Sequence, residues 1–339
     1  MQDTDDLEHI MAGVHRDDWS AFFEISDQFR PRTGESWRAI AERLGGGRRT
    51  YSAVELAPIH AAACRYFDEP ADATNLTHRA IYEFALSEEA IRRLPFLNLG
   101  YHPSADENAG TIALSGDLER FQCNLNLYTQ ALGAVPLHGR DVVEVGSGRG
   151  GGAAALVRHH KPRSYIAVDG SRKQVELCGA IHSHVQFVYG NACALPLPDA
   201  SADVVLNVES SHCYSDLDRF VAEVRRVLRP GGVFCLTDII YEKARIVRYF
   251  ELLHRHFTVE RQTDVTANVV SCLEAHGGDQ FVAWVSSLGG KPAHPAQSVP
   301  MVASIYLPLD IAPWSNYRAL TSGGSLYLTF ACVKPASSA

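Results

Sequence analysis

A glycine-rich stretch with one acidic neighbour is the part of the sequence best suited to holding a ligand. It reads VVEVGSGRGGG over residues 142–152, where an apolar run ends and a helical stretch begins. Glycines there let the backbone turn tightly and approach a ligand with no Cβ in the way. Gly146, Gly148 and Gly151 also fit the dinucleotide pattern G-x-G-x-x-G. Glu144 stands two residues before the first glycine, and its carboxylate would repel a pyrophosphate but attract a cationic group.

Further polar residues follow the later apolar runs. Asp169 ends the run that begins at Tyr165, and an acid at that place can accept two ribose hydroxyls. Asn191 and Ala192 come after the third run, and Asn207 lies within the fourth. Because the carboxyl ends of parallel strands meet at one edge of a sheet, we expect these residues to surround one crevice.

Two residues are candidates for moving a proton. His212 follows the fourth apolar run and Asp238 closes the fifth, so both are expected to face the same crevice. A histidine, with a reference pKa of about 6.5, is suited to accepting a proton near neutral pH. Alternatives stay open, since His212 could bond backbone groups at a helix entry and Asp238 could cap the following helix. Glu209 is expected to be structural or to lie on the cofactor side.

Short runs rich in Val and Ile alternate with helical stretches over residues 140–262. This alternation predicts right-handed βαβ units and a parallel sheet covered on both faces. We therefore expect an α/β fold with a doubly wound, mostly parallel, seven-stranded, Rossmann-like sheet. The predicted strands are Asp141–Val145, Tyr165–Asp169, Val185–Tyr189, Asp203–Val208, Gly232–Asp238, Phe257–Arg261 and, near the end of the chain, Ser325–Lys334.

These motifs carry a family resemblance. Residues 141–238 resemble the core of class I S-adenosylmethionine-dependent methyltransferases, with every expected motif in order. More narrowly, LNLGY at 97–101, ESSHCY at 209–214 and LRPGG at 228–232 are similar to phthiotriol/phenolphthiocerol dimycocerosate methyltransferases and related natural-product enzymes, a likeness that extends over residues 96–335. The resemblance implies methyl transfer from S-adenosylmethionine to a small molecule, expected to be a secondary metabolite that is methylated on a hydroxyl.

Carried over residue by residue, the resemblance also implies a cofactor site. Glu144, Gly146 and Gly148 are expected at the methionine end of the cofactor, and Asp169 and Gly170 at the ribose. Asn191 and Ala192 are expected at the adenine. Asn207 would contact the cofactor from the fourth strand, and Tyr101 would lie over it. One departure concerns Asn191, where the family usually has Asp. An Asn carbonyl can still accept a hydrogen bond from the adenine amino group, so weaker binding is expected rather than none.

The chain divides into four regions that differ in sequence pattern. We predict a helical N-terminal region and lid over residues 1–135 and an S-adenosylmethionine-binding core over 136–262. A helical, substrate-side cap is predicted as an insertion at 263–323, before a last strand and tail at 324–339. Aromatic residues in the cap suit a flat or apolar substrate.

The composition of the chain argues against several classes of binding partner. The chain has 339 residues, a formal net charge of −8 and 46% hydrophobic residues, which is ordinary for a globular protein. There is no Lys/Arg-rich run for nucleic acid and no apolar run near the ~18 residues of a membrane span. Its eight cysteines form no C-x-x-C pair, and its 15 histidines show no metal-ligand spacing. We expect a cytoplasmic protein without a metal, and a homodimer is left open.

Two other functions remain in competition. An NAD-dependent oxidoreductase is supported only by the glycine spacing, and its first strand would normally open the domain, whereas about 140 residues precede it here. The other alternative is a methyltransferase-like protein that binds the cofactor without transferring a methyl group. Nucleic-acid methylation is disfavoured because no N/D-P-P-Y/F motif for flipped bases is present.

Overall fold

The computed structural model describes residues 88–104, 107, 112–287, 306 and 316–336. These residues divide into two compact units. The larger comprises residues 95–268 and those from 324 onward, and the smaller takes the described residues of 88–94 and 269–323. The predicted lid upstream of residue 88 lies outside the described residues.

A seven-stranded sheet forms the centre of the larger unit, in the order β3-β2-β1-β4-β5-β7-β6. The strands are β1 (Asp141–Val145), β2 (Ser164–Asp169), β3 (Gln186–Tyr189), β4 (Ala202–Val208), β5 (Leu228–Tyr241), β6 (Thr258–Asp264) and β7 (Ser325–Val333). Strands β1 to β5 pair in parallel, and β7 runs antiparallel to both β5 and β6. The predicted α/β fold with a mostly parallel seven-stranded sheet is confirmed.

Helices follow most of the strands, as expected for a sheet covered on its faces. They are α1 (Glu88–Arg93), α2 (Gln122–Leu132), α3 (Gly151–His160), α4 (Arg172–Ile181), α5 (Leu217–Val227), α6 (Lys243–His256), α7 (Thr266–Ser287) and α8 (Asn316–Thr321). Two short 3₁₀ helices are Gly116–Phe121 and Ser211–Cys213. In the part of the chain that is described, no helix is both long and apolar enough to span a bilayer.

Helix α5 illustrates how the sequence determines packing on the sheet. Asp216 caps its N-terminus by accepting a hydrogen bond from the backbone N–H of Arg219 at 3.0 Å. Phe220, Val224 and Val227, at helical spacing, are all fully buried in the core beside the sheet. Burial of such side chains contributes roughly 1.5–3 kcal/mol each.

The segment before β1 belongs with the sheet. Helix α2 buries Leu125, Leu127 and Tyr128, and the compact unit that holds the sheet begins at Pro95. The sequence assigned these residues to the N-terminal region, because a helical pattern alone does not say what a helix packs against. The predicted boundary between residues 135 and 136 stays a prediction.

In the smaller unit, α7 and α8 include most of the described residues of the predicted cap. Within it, the Tyr317 hydroxyl donates to Glu274 at 2.7 Å. A Cβ at Gly277 would overlap the carbonyl oxygen of Tyr306, so glycine permits close backbone approach there.

The strand order places the candidate site. From β1 the chain moves outward to β2 and β3, and then returns to form β4 on the other side of β1. At such a reversal, a crevice opens at the carboxyl ends of the two central strands, and ligands of open α/β sheets bind there. The glycine-rich turn follows β1 and His212 follows β4, so both lie at this edge.

Candidate functional site

The glycine-rich turn joins β1 to α3 and has no room for side chains at its first glycine. Gly146 has φ of 76°, in the left-handed region, and its N–H donates to the Val168 carbonyl at 2.8 Å. A Cβ on Gly146 would overlap the side chain of Ser210. Gly150, also left-handed, precedes α3, whose first residue Gly151 donates its N–H to the Pro95 carbonyl at 3.1 Å.

Asp169 borders this turn from the end of β2. One carboxylate oxygen accepts the N–H of Gly148 and the other accepts the N–H of Ser171, each at 2.9 Å. The carboxylate is therefore held in a fixed orientation beside the turn. Asp169 is half-buried and Gly170 is exposed. Carboxylate oxygens of this kind accept hydroxyl donors such as those of a ribose.

Glu144 lies in β1 and is completely buried. The hydroxyl of Tyr128 donates to one of its carboxylate oxygens at 3.0 Å, and that of Tyr165 donates to the other at 2.8 Å. Burial raises the pKa of Glu144 to about 7, although the two tyrosine hydrogen bonds act to lower it, and Asp169 raises it further. Both of these described hydrogen-bond partners are neutral hydroxyls.

Asn207 in β4 lies close to the same turn and is fully buried. Its Nδ2 donates to the Val145 carbonyl at 2.8 Å and also contacts Ser210 and the Tyr214 hydroxyl. Because a carbonyl can only accept, this contact fixes which amide atom is nitrogen. Its Oδ1 has no hydrogen-bond partner among the described residues. An unsatisfied buried acceptor costs roughly 1–3 kcal/mol, which a ligand donor would offset.

Asn191 and Ala192 lie beyond the end of β3. The Oδ1 of Asn191 accepts the backbone N–H of Cys193 at 2.8 Å, which fixes a tight turn. Asn191 is exposed and Ala192 is half-buried. The side chain predicted to meet an adenine therefore has its carbonyl already engaged, with one lone pair remaining for a ligand.

Residues 95–101 run beside the glycine-rich turn. In addition to the Pro95 contact, a Cβ placed on Gly148 would lie 3.7 Å from Cδ1 of Leu97. Leu99 donates its N–H to Glu209 at 2.8 Å. Tyr101 is buried and its hydroxyl donates to Glu107. Burial and the adjoining Glu107 carboxylate raise the pKa of Tyr101, so its hydroxyl stays protonated.

His212 and Asp238 form a buried pair. Their Nδ1 and Oδ1 atoms lie 2.6 Å apart, and the backbone N–H of His212 donates to the other Asp238 oxygen at 3.0 Å. The Ser211 hydroxyl also donates to Asp238. Asp238 is thus bound to the 3₁₀ turn after β4, whereas the sequence left open that it caps the helix after β5. Opposing effects act on the pKa of His212, since burial lowers it but Cys213 and Asp238 raise it well above 6.5.

Several polar residues of these clusters were not found from the sequence. Tyr128 and Tyr165 bond Glu144, and the hydroxyl of Tyr249 lies 2.9 Å from that of Ser211. Tyr165 had a detectable signal in the sequence, because it begins the second predicted strand. In the structure this strand pairs with β1. Tyr128 and Tyr249 lie on helices, and nothing in their local sequence indicates these partners.

Comparisons with known proteins agree with this geometry. A family model described as a methyltransferase domain matches residues 143–236. The fatty-acid O-methyltransferase of Mycolicibacterium smegmatis is 40% identical over 162 residues, covering 47% of this chain and 58% of that protein. The phthiotriol/phenolphthiotriol dimycocerosates methyltransferase of Mycobacterium tuberculosis is 42% identical over 146 residues, 42% of this chain and 53% of the relative. The chain thus matches just over half the length of these curated relatives.

Solved structures share the fold. A putative sarcosine dimethylglycine methyltransferase from Galdieria sulphuraria has a TM-score of 0.54 at 14% identity, covering 74% of this chain and 99% of that one. The [4+2]-cyclase SpnF has a TM-score of 0.51 at 20% identity, covering 74% and 94%. At such identities the likeness shows the fold alone.

The described residues also fit the cofactor of this class. Glu144 is a fully buried carboxyl, and Asn207 offers an acceptor with no partner among the described residues. A ligand with positive charge and hydrogen-bond donors, such as S-adenosylmethionine, suits both. Residues 143–236 thus match a methyltransferase domain model, within the run of motifs from which the sequence predicted a methyltransferase.

Proposed function

We propose that the whole protein transfers a methyl group from S-adenosylmethionine to a small organic acceptor. The observation that carries the proposal is the excess of carboxyls at the glycine-rich turn. Glu144 is buried in β1 and Asp169 borders the turn, and together they outnumber the buried Arg149 of the turn. A pyrophosphate would be repelled by both carboxyls, and Gly151 already gives its N–H to Pro95. A cationic cofactor is favoured for the same reasons.

The cofactor contacts expected from the sequence become assignments under this proposal. Glu144 acts through its charge, because its carboxyl is fully buried. The remaining contacts are assigned to Tyr101, Gly146, Gly148, Asp169, Gly170, Asn191, Ala192 and Asn207. When bound, S-adenosylmethionine supplies a methyl group that its sulfonium has already activated.

Binding measurements test the cofactor. Calorimetric titration is expected to give binding of S-adenosylmethionine and S-adenosylhomocysteine and none of NAD. Asp169→Ala should lose one or two charge-assisted hydrogen bonds, roughly 1.5–3 kcal/mol each, and exposed Asp117→Ala is the matched control. Binding of NAD without a response to S-adenosylhomocysteine would overturn the proposal.

We propose that the acceptor is a hydroxyl and that His212 takes its proton. Nδ1 contacts Asp238, so we assign the accepted proton to Nε2; Cys213 is a further hydrogen-bond partner of the His212 side chain. Asp238 holds the imidazole in that orientation. Two relatives support an oxygen acceptor, since one is named for O-methylation of a fatty acid and the other for phthiotriol, a triol.

Variants of His212 test the base. His212→Ala and His212→Gln should lower turnover by about 10² to 10⁴ while affinity for S-adenosylhomocysteine stays nearly unchanged. Only neutral imidazole accepts a proton, and the pKa of His212 is raised above 6.5, so wild-type turnover should rise with pH through a value above 6.5. Loss of cofactor binding in both variants would make His212 structural. Cofactor binding without turnover on any acceptor would favour the non-transferring alternative.

A homodimer and a cytoplasmic location, both raised by the sequence, belong to the same proposal. Light scattering on the purified chain should give twice the monomer mass for a dimer. Fractionation of the native host should place the protein with the cytoplasmic fraction. A monomer mass by light scattering would contradict the homodimer, and recovery with the membrane fraction would contradict the cytoplasmic location.

A further inference from the structure

Glu209 has an unusual backbone conformation at the end of β4, beside the candidate site. It follows the last residue of β4, and its φ of 49° lies in the left-handed region that non-glycine residues rarely adopt. Its N–H donates to the Thr237 carbonyl at 2.7 Å. Such a conformation costs of order 1–3 kcal/mol and persists only where surrounding contacts enforce it.

The side chain of Glu209 supplies those contacts over long distances in sequence. Its Oε2 accepts the backbone N–H of Leu99 at 2.8 Å and the hydroxyl of Tyr327, residues 110 and 118 positions away. Tyr327 is fully buried in β7. One carboxyl therefore joins the end of β4 to β7, which lies beyond β5 in the sheet, and to the segment 95–101.

That segment lies against the glycine-rich turn. Pro95 accepts from Gly151, and the Leu97 side chain is the nearest group to the open face of Gly148. Asn98 is anchored separately, because its carbonyl accepts from the Asn124 side chain at 2.6 Å. The hydrogen bond from Leu99 to Glu209 links this segment to the edge of the sheet where the candidate site lies.

We propose that Glu209 is a positioning residue that fixes residues 97–101 beside the glycine-rich turn and so strengthens cofactor binding. The inference rests on the proposed function for its cofactor part. Burial raises the pKa of Glu209 to about 8, while the bonds from Tyr327 and Leu99 act to lower it. Near neutral pH a glutamine is therefore a close mimic of the side chain, and its carbonyl oxygen can accept both hydrogen bonds.

Hydrogen exchange of the unliganded protein tests the link directly. In Glu209→Ala, exchange at the Leu99 amide and across residues 97–101 should become about tenfold faster, the effect of losing one hydrogen bond. Glu209→Gln should restore the wild-type rate. Glu242→Ala is the matched control, because Glu242 also has a left-handed backbone (φ 67°) but is exposed at the start of α6. Where Ala prevents folding, Glu209→Gly suits the backbone and replaces it.

Titration with S-adenosylhomocysteine tests the consequence. Glu209→Ala should raise its dissociation constant about five- to tenfold, with Glu209→Gln close to wild type. Unchanged exchange at Leu99 in both Ala and Gly variants would overturn the proposal, as would a Gln variant as defective as Ala. Should wild type fail to bind S-adenosylhomocysteine, the proposed function fails, and the exchange experiment still decides whether Glu209 fixes the segment.

Discussion

Replacing Glu144 with glutamine should change how the stability of the protein depends on pH. The carboxyl is fully buried and its pKa is about 7, against the usual 4.5. The folded chain therefore holds a proton that the unfolded chain has lost between these two values. Stability from this group is fully present below about pH 4.5 and is lost as pH rises through 7.

The magnitude follows from the two pKa values. One pKa unit corresponds to about 1.4 kcal/mol, so the difference between 4.5 and about 7 amounts to about 3 kcal/mol at high pH. Between pH 5 and pH 8, most of this change takes place, about 2 to 3 kcal/mol. Glutamine cannot ionise, and it can still pair with Tyr128 and Tyr165 through its carbonyl and amide groups.

Denaturant unfolding at several pH values measures this difference. The free energy of unfolding of Glu144→Gln should rise relative to wild type by about 2 to 3 kcal/mol from pH 5 to pH 8. Glu176→Gln, at an exposed position on α4, should follow the wild-type curve. Parallel curves for wild type and Glu144→Gln would show that the folded carboxyl ionises normally, which refutes the reasoning. At pH 8, Glu144→Gln should also favour S-adenosylmethionine over S-adenosylhomocysteine, which lacks the sulfonium charge, less than wild type does.

Three further changes have defined outcomes. Gly146→Ala should abolish S-adenosylhomocysteine binding in calorimetry, because its Cβ would overlap Ser210 and φ is 76°. Arg261→Met should lower the unfolding free energy by about 1–3 kcal/mol in denaturant, since Arg261 donates to two carbonyls at the end of α2. Hydrogen bonding to Arg163 holds the pKa of Asp141 well below its usual range. The contribution of this carboxylate to the stability of the fold is therefore lost as pH falls below about 4. Asp141→Asn should lessen acid denaturation between pH 4 and 2.

The strands could be predicted because their signal is local. Buried parallel strands need continuous apolar runs, and β1 was predicted at its observed limits, Asp141–Val145. The fifth strand is longer than predicted, Leu228–Tyr241, because Leu228 pairs with β4 at one end and β7 pairs with it as far as Tyr241 at the other. That extension depends on a partner strand far away in the sequence.

The site was predictable to the extent that strand ends meet at one edge of the sheet. This rule placed His212 and Asp238 together, and the structure has them in contact. It could not give the bond between Leu99 and Glu209 or the tyrosines around Glu144, since these depend on how helices and irregular segments pack. Contacts between residues about 110 positions apart leave no periodicity in the sequence.

When the buried pair of His212 and Asp238 loses a proton, the carboxylate left behind keeps three hydrogen-bond donors. When the imidazole is neutral with its proton on Nδ1, that N–H still donates to Asp238. The carboxylate also keeps the Ser211 hydroxyl and the His212 backbone N–H as donors. The same contacts that raise the pKa of His212 therefore fix the tautomer in which Nε2 is the acceptor, and they confine base catalysis to the upper part of the pH range.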